Sequence, residues 1–224
     1  MNIINISTTP FDDQKPGTSG LRKKVSVFQQ AHYLENFVQS IFENAPQLKG
    51  ELMVLGGDGR FYNKQAIQTI LKMAAAYGVK RVLVGENGLL STPAVSCLIR
   101  KNRAAGGIIL SASHNPGGEN GDFGIKFNIA NGGPAPTSFT DAVFETSKVL
   151  TEYHIAECDD IALDHQHSTR IGDMKIDVID PVADYAELMG HLFDFDKIRS
   201  LFTSGLLSIC LLYTSPSPRD NQPH

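Results

Sequence analysis

Cysteine is scarce: Cys97, Cys158 and Cys210 are the only three in 224 residues, and they lie far apart. An odd, scattered set argues against a disulfide framework and against a zinc site, and it fits a reducing compartment. Long basic runs are lacking too. None exceeds Arg22-Lys23-Lys24, so nothing asks for nucleic acid. The formal charge is −4, from 20 basic and 24 acidic residues. The segment from Met1 to Asp13 has acids early and no long apolar core, so no secretory signal is expected. The longest late apolar run, Leu206 to Tyr213, is far too short to span a bilayer, and no membrane partner is expected. There are no internal repeats. What remains, 42% apolar and 20% charged, is the profile of a soluble globular protein with ample core for one or two domains.

Along the chain, apolar runs alternate with helical patterns. Asn2 to Ile6 reads as a short strand. Phe28 to Phe42 carries apolar residues at 34, 37, 38, 41 and 42, the spacing of an amphipathic helix. Leu52 to Leu55 is a buried strand ending in Gly56-Gly57-Asp58-Gly59-Arg60. Asn63 is expected to cap a second helix, which stops near Gly78. Arg81 to Gly85 is the next strand, and Ser91-Thr92-Pro93 opens a helix that runs to about Arg103. Thr137 is expected to cap a helix through Leu150. Residues 151–173 read as a solvated loop; His154, His165 and His167 with Asp159, Asp160 and Asp164 lack metal-ligand spacing on one element. Met174 to Ile179 is a strand, Pro181 opens a helix through about Leu192, and Phe193 to Arg199 starts another segment. Strands unbroken by polar alternation are buried on both faces, which predicts an α/β fold: a three-layer α/β/α sandwich around a mostly parallel mixed sheet. Ligands of open sheets gather beyond the strand C-termini. The Gly57–Arg60 and Ser111–Gly118 loops each follow a strand, so both are placed on that edge.

Three stretches carry chemistry. Gly107 to Leu110 drives into Ser111-Ala112-Ser113-His114-Asn115-Pro116-Gly117-Gly118, and a second strand-like run, Gly124 to Ile129, bears Lys126. A hydroxyl at the tip of a buried strand, with an imidazole beside it and glycines that let N–H groups approach an anion, suits a reactive serine. Asn115-Pro116-Gly117 is equally ordinary turn chemistry. The loop Lys15-Pro16-Gly17-Thr18-Ser19-Gly20-Leu21-Arg22-Lys23 gathers hydroxyls, N–H donors and cations, as a phosphate-binding loop does, and as a solvated basic turn does. Gly56-Gly57-Asp58-Gly59 is neither a dinucleotide fingerprint nor a Walker loop, so no nucleotide site is inferred.

Taken in order, Lys15–Arg22, Gly56–Arg60, Ser111–Gly118 and Gly124–Ile129 resemble the first domain of the phosphoglucomutase family, within the α-D-phosphohexomutase superfamily. Asn131-Gly132-Gly133-Pro134-Ala135-Pro136 and Phe193–Arg199 are similar to its glucose-specific branch. The resemblance covers about residues 3–203. It implies that Ser113 carries a phosphoryl group between glucose 1-phosphate and glucose 6-phosphate through glucose 1,6-bisphosphate. His114 and Lys126 would do acid–base and electrostatic work. Arg22, with Thr18 and Ser19, would bind phosphate, and Asp58 and Arg60 would shape or contact the same region. It also implies Mg²⁺, held by the phosphate on Ser113 and by three aspartates of a D-G-D-G-D-R loop that this sequence does not contain. The expected organisation is a first domain over 1–190, the opening of a second over 191–203, and a non-native or disordered tail over 204–224. The expected setting is a cytoplasmic enzyme of carbohydrate metabolism, monomeric at full length, with no turnover by this chain alone. Another hexose phosphate as substrate, and a non-catalytic structural relative, are the alternatives.

Overall fold

The structure is a computed structural model, and it describes residues 1–17 and 19–208. The elements run β1 (Asn2–Ser7), β2 (Leu21–Lys24), α1 (Val25–Phe28), α2 (Tyr33–Asn44), β3 (Leu52–Gly57), α3 (Asn63–Tyr77), β4 (Arg81–Leu89) and α4 (Thr92–Asn102). They continue with β5 (Gly106–Leu110), β6 (Asp122–Ile129), α5 (Thr137–Ser147), β7 (Glu152–Glu157), β8 (His167–Ile171), β9 (Met174–Ile179), α6 (Ala183–Leu192) and α7 (Phe195–Thr203). One sheet has the order β2-β6-β5-β3-β4-β9-β8, and β1 pairs with β7 in a separate antiparallel ribbon. The centre of the sheet, β5-β3-β4-β9, is parallel; β6 and β8 run against their neighbours. The architecture is the mixed-sheet α/β fold that the uninterrupted apolar runs predict.

The central strands point alternate residues into two cores. Met53 and Leu55 of β3, Val82 and Val84 of β4, and Ile108 and Leu110 of β5 join the side covered by α2, α3, α5 and the β1–β7 ribbon. Val54, Leu83 and Ile109 join the side covered by α4, against which α6 packs. Residues such as Leu55 and Ile108 have no exposure, and burying each contributes about 1.5–3 kcal/mol. An apolar residue on each face of every central strand is why no alternation is visible there.

Four details depart from the sequence expectation. The helix expected from Phe28 begins at Tyr33: α1 stops at Phe28, and His32 takes a left-handed backbone (φ 65°) that re-aims the chain into α2. Asn63 is the first helical residue rather than the cap; Tyr62 occupies that place, and the Asn63 amide is buried and donates to the Gly88 carbonyl. Thr137 likewise sits inside α5, after Pro136, and the helix ends at Ser147. Residues 151–173 contain two strands rather than one loop. In β7 the buried residues are Tyr153 and Ala156, three apart, so the twisted ribbon shows no period of two; β8 is a polar edge strand.

Candidate functional site

β3 and β5 are parallel neighbours, with Gly57 in register with Leu110. The loops that follow them therefore leave the sheet side by side, at the edge where the sequence places them. The Asp58 N–H donates to the Leu110 carbonyl at 3.0 Å and stitches the two exits together.

After Leu110 the pairing of β5 with β6 continues one step: the Ser111 N–H donates to the Gly124 carbonyl at 2.8 Å. Ala112 is fully buried and plugs the loop into the core. The chain then turns out, and Ser113 and His114 are exposed. Ser113 has φ 57°, a left-handed conformation that non-glycine residues adopt only when their surroundings hold them there. Two contacts do so. Its N–H donates to the Ser111 hydroxyl at 3.0 Å, and its carbonyl accepts from Arg60 Nη2 at 3.2 Å. The Ser113 hydroxyl lies 3.3 Å from His114 Nδ1.

Arg60 ties the site together from β3's loop. Its Nε and Nη2 engage the Asp58 carboxylate at 3.0 and 2.9 Å, and its Nη1 donates to the Asp122 carbonyl at 2.6 Å. With its side chain only 8% exposed, Arg60 is a strut between loops, and Asp58 is its counter-ion. Asp122 closes the far end of the serine loop. Its carboxylate accepts from Asn115 Nδ2 and pairs with Lys24 Nζ, and its N–H donates to the Pro116 carbonyl. Ser111, Asn115 and Asp122 are the structural members of this site that sequence reasoning passed over. The S-x-S spacing and an Asp opening a strand after Asn-Gly are the signals that could have found them.

The cations converge by register. Arg22 on β2 stands opposite Gly124 on β6, and Lys126 lies two residues further on, so Arg22, Gly124 and Lys126 share one face of the sheet. Lys126 faces Ile109 across the strands and its ammonium donates to the Thr92 hydroxyl, 3.3 Å away in the first turn of α4. Ser111, two residues beyond Ile109, lies on that face too. Among the described residues, Arg22 Nε is buried with no hydrogen-bond partner, which leaves a guanidinium N–H in want of an acceptor. The loop ahead of β2 presses on this corner: Gly17 and Gly20 exchange backbone hydrogen bonds, and a Cβ on Gly20 would stand 2.3 Å from the Ile125 carbonyl. Ser19 is exposed in that turn, whereas Thr18 lies outside the described residues.

Burial, and secondarily the charge of Arg22, holds the Lys126 ammonium below its ordinary pKa. The unfolded chain therefore keeps the proton over a range where the native one gives it up. The charged form costs stability below the native pKa, and that cost fades as pH rises toward the ordinary value of about 10.4. Lys126→Met is expected to melt above the parent near neutral pH, with the gap narrowing as pH rises. A parent that melts higher at neutral pH contradicts this burden of charge.

An α/β/α domain that presents an exposed serine at the C-terminal edge of its sheet, its backbone held by Arg60 of a neighbouring loop, with Arg22 and Lys126 on the sheet face shared with Ser111, is the class this geometry defines. The family model for phosphoglucomutase/phosphomannomutase, alpha/beta/alpha domain I, matches residues 13–154, and the chain belongs to that family. It is 59% identical over 203 residues to a phosphoglucomutase of Rhizobium radiobacter, covering 91% of this chain and 38% of that protein. It is 50% identical over 221 residues to a protein of Populus tremula named phosphoglucomutase, cytoplasmic, covering 93% of this chain and 38% of that one. Among solved structures, the open form of the Paramecium exocytosis-sensitive phosphoprotein parafusin, a phosphoglucomutase, superposes with a TM-score of 0.85 at 46% identity, over 90% of this chain and 38% of that one. The chain thus spans about two fifths of the length of these relatives, 38% in each case.

Proposed function

We propose that this chain is the phosphoserine-bearing domain of a phosphoglucomutase, and that Ser113 exchanges a phosphoryl group with glucose phosphates. The observation that carries the reading is the conformation of Ser113: an exposed hydroxyl on a left-handed residue, clamped through its N–H and carbonyl, 3.3 Å from an imidazole nitrogen. Phosphoryl transfer asks mainly for such positioning and for neutralisation of the phosphoryl oxygens. In the forward half-reaction the Ser113 oxygen bonds to phosphorus of glucose 1,6-bisphosphate as the bond from phosphorus to the sugar oxygen breaks. The hydroxyl proton passes to His114 Nδ1, and the sugar oxygen leaves as a hydroxyl by taking a proton from solvent. In the return step the other hydroxyl of the hexose gives its proton to solvent as it takes the phosphoryl group, and Ser113 recovers its proton from His114. Arg22 and Lys126 supply positive charge to the moving phosphate, with Ser19 and Thr18 in the adjoining loop. Asp58 and Arg60 hold the serine loop in place.

The identity of glucose as the sugar rests on the names of the relatives, and a cytoplasmic setting on the name of the Populus protein. The family uses Mg²⁺. Among the described residues no group of three or more His, Cys, Asp or Glu could hold a metal ion, so the phosphate on Ser113 would be this chain's contribution to holding it. We place the first domain over 1–190 and the start of the next at 191–203. The amphipathic α7, whose residues Phe195, Ile198 and Leu201 are exposed, supports that division.

The chain by itself is expected to show no sustained conversion of glucose 1-phosphate to glucose 6-phosphate with bisphosphate and Mg²⁺ in a coupled assay; robust turnover would contradict the division of labour. The cationic surroundings are tested separately. Phosphate placed on Ser113 by glucose 1,6-bisphosphate is expected to titrate, by ³¹P NMR, below the second pKa of about 6 of ordinary phosphoserine. Arg22→Gln should move that value up. An ordinary value, indifferent to Arg22, sinks the role given to the cations.

A further inference from the structure

At the opposite edge of the sheet, three cations stand in one row across three adjacent strands. Arg81, the first residue of β4, is in register with Lys175 of β9, and Lys175 is in register with Arg170 of β8. Directly opposed like charges weaken a sheet. Lys80, exposed, adds a fourth cation just ahead of β4. All four line one cavity of about 410 Å³ with Glu51 and Asp173, so cations outnumber carboxylates there.

The row is held in place rather than loosely solvated. Asp177, two residues beyond Lys175 on the same face, has a side chain only 10% exposed. It accepts from Arg81 Nε at 2.6 Å and pairs with Lys175 Nζ at 2.8 Å, and the Ser168 hydroxyl donates to it. Burial alone would raise the Asp177 pKa, but Lys175, Ser168 and Arg81 together hold it below the usual carboxylate range, so it is charged at neutral pH. One carboxylate thus fixes two cations while neutralising one charge. Its grip on Arg81 is through Nε, and no side-chain hydrogen bond among the described residues engages either Nη of Arg81. Arg170 spends Nη1 on the Asp173 carbonyl at 3.0 Å, and no ion pair among the described residues involves Lys80 or Arg170.

We propose that this cavity binds a small anion carrying two or more phosphoryl groups, at a site separate from the Ser113 loop. Strands are about 4.8 Å apart, so Arg81 and Arg170 stand roughly 10 Å from each other. Two long side chains facing each other across that backbone gap can reach one small anion from both sides, with Lys175 between them. Guanidinium groups with Nη donors to spare, both on Arg81 and Nη2 on Arg170, suit phosphoryl oxygens in a way that scattered lysines do not. A cavity of this size belongs to the range of small-molecule sites.

Inorganic pyrophosphate is the probe. Calorimetric titration into the intact chain at low salt is expected to show a binding event that weakens with added salt. It should lose at least tenfold in affinity in Lys80→Gln/Arg170→Gln, a pair of exposed residues whose loss spares the Asp177 contacts. Arg81→Gln, checked for folding by its melting curve, should lose as much. The same event should survive Arg22→Gln, which alters only the corner beside the serine loop. The proposal is overturned if the chain binds no pyrophosphate, if the affinity is unchanged in Lys80→Gln/Arg170→Gln, or if Arg22→Gln alone removes all binding.

Discussion

Ser113→Ala is expected to fold like the parent and to accept no covalent phosphate at all. Ala112 and the Ser111 hydroxyl anchor the loop without help from the Ser113 side chain, and the clamp on residue 113 uses only its N–H and carbonyl. Removing the hydroxyl removes the atom that bonds to phosphorus and nothing that holds the backbone. The melting temperature should stay within a degree or two, since surface changes of this kind alter stability by less than about 0.5 kcal/mol. His114→Ala separates position from chemistry. It leaves the nucleophile and removes the nearby base, so the rate of phosphate uptake should fall by about 10²–10⁴ while the site of modification stays the same. Phosphate still appearing on the alanine variant at the parent's rate would move the chemistry elsewhere.

Gly124→Ala is expected to damage both stability and site. A Cβ at Gly124 would stand 2.3 Å from the Ser111 carbonyl oxygen, 2.9 Å from its carbon and 3.1 Å from Ala112 Cα. All three are backbone atoms in the segment that carries Ser113, so none can swing aside as a side chain would. The Ser111 N–H to Gly124 carbonyl bond lies at the same point and would have to lengthen. Overpacking of this kind costs about 1–3 kcal/mol, which for a domain of this size lowers the melting temperature by roughly 2–12 °C. The displaced loop should also lose phosphate uptake beyond what the lost stability explains, measured well below the melting point. A variant that melts with the parent would show that the β5–β6 exit is looser than the geometry says.

Much of this was legible in the sequence, for physical reasons that differ by element. Runs such as Met53–Leu55 and Ile108–Leu110 announce a sheet covered on both faces because each strand feeds both cores. Ser91 is a legible cap because its hydroxyl accepts the Ala94 N–H. Edges read poorly. β7 and β8 carry polar residues on their open sides, so neither shows the apolar run that marks a buried strand. The break at His32 depends on a left-handed backbone that histidine does not advertise. In the site, residue types pointed to the serine, the imidazole and the cations. They did not show that Arg60 would face inward to join two loops, because that depends on where the Asp122 carbonyl lies in space. Asp122 was passed over for the same reason: its partners come from β2, the β3 loop and the serine loop, and only the fold brings those three together.

The most direct measurement is peptide mapping by tandem mass spectrometry of the intact chain after incubation with glucose 1,6-bisphosphate and Mg²⁺. A single phosphoryl group on Ser113, absent from Ser113→Ala, is the predicted result. An unmodified Ser113, with phosphate nowhere or on another residue, would contradict the claim that this hydroxyl carries the phosphoryl group.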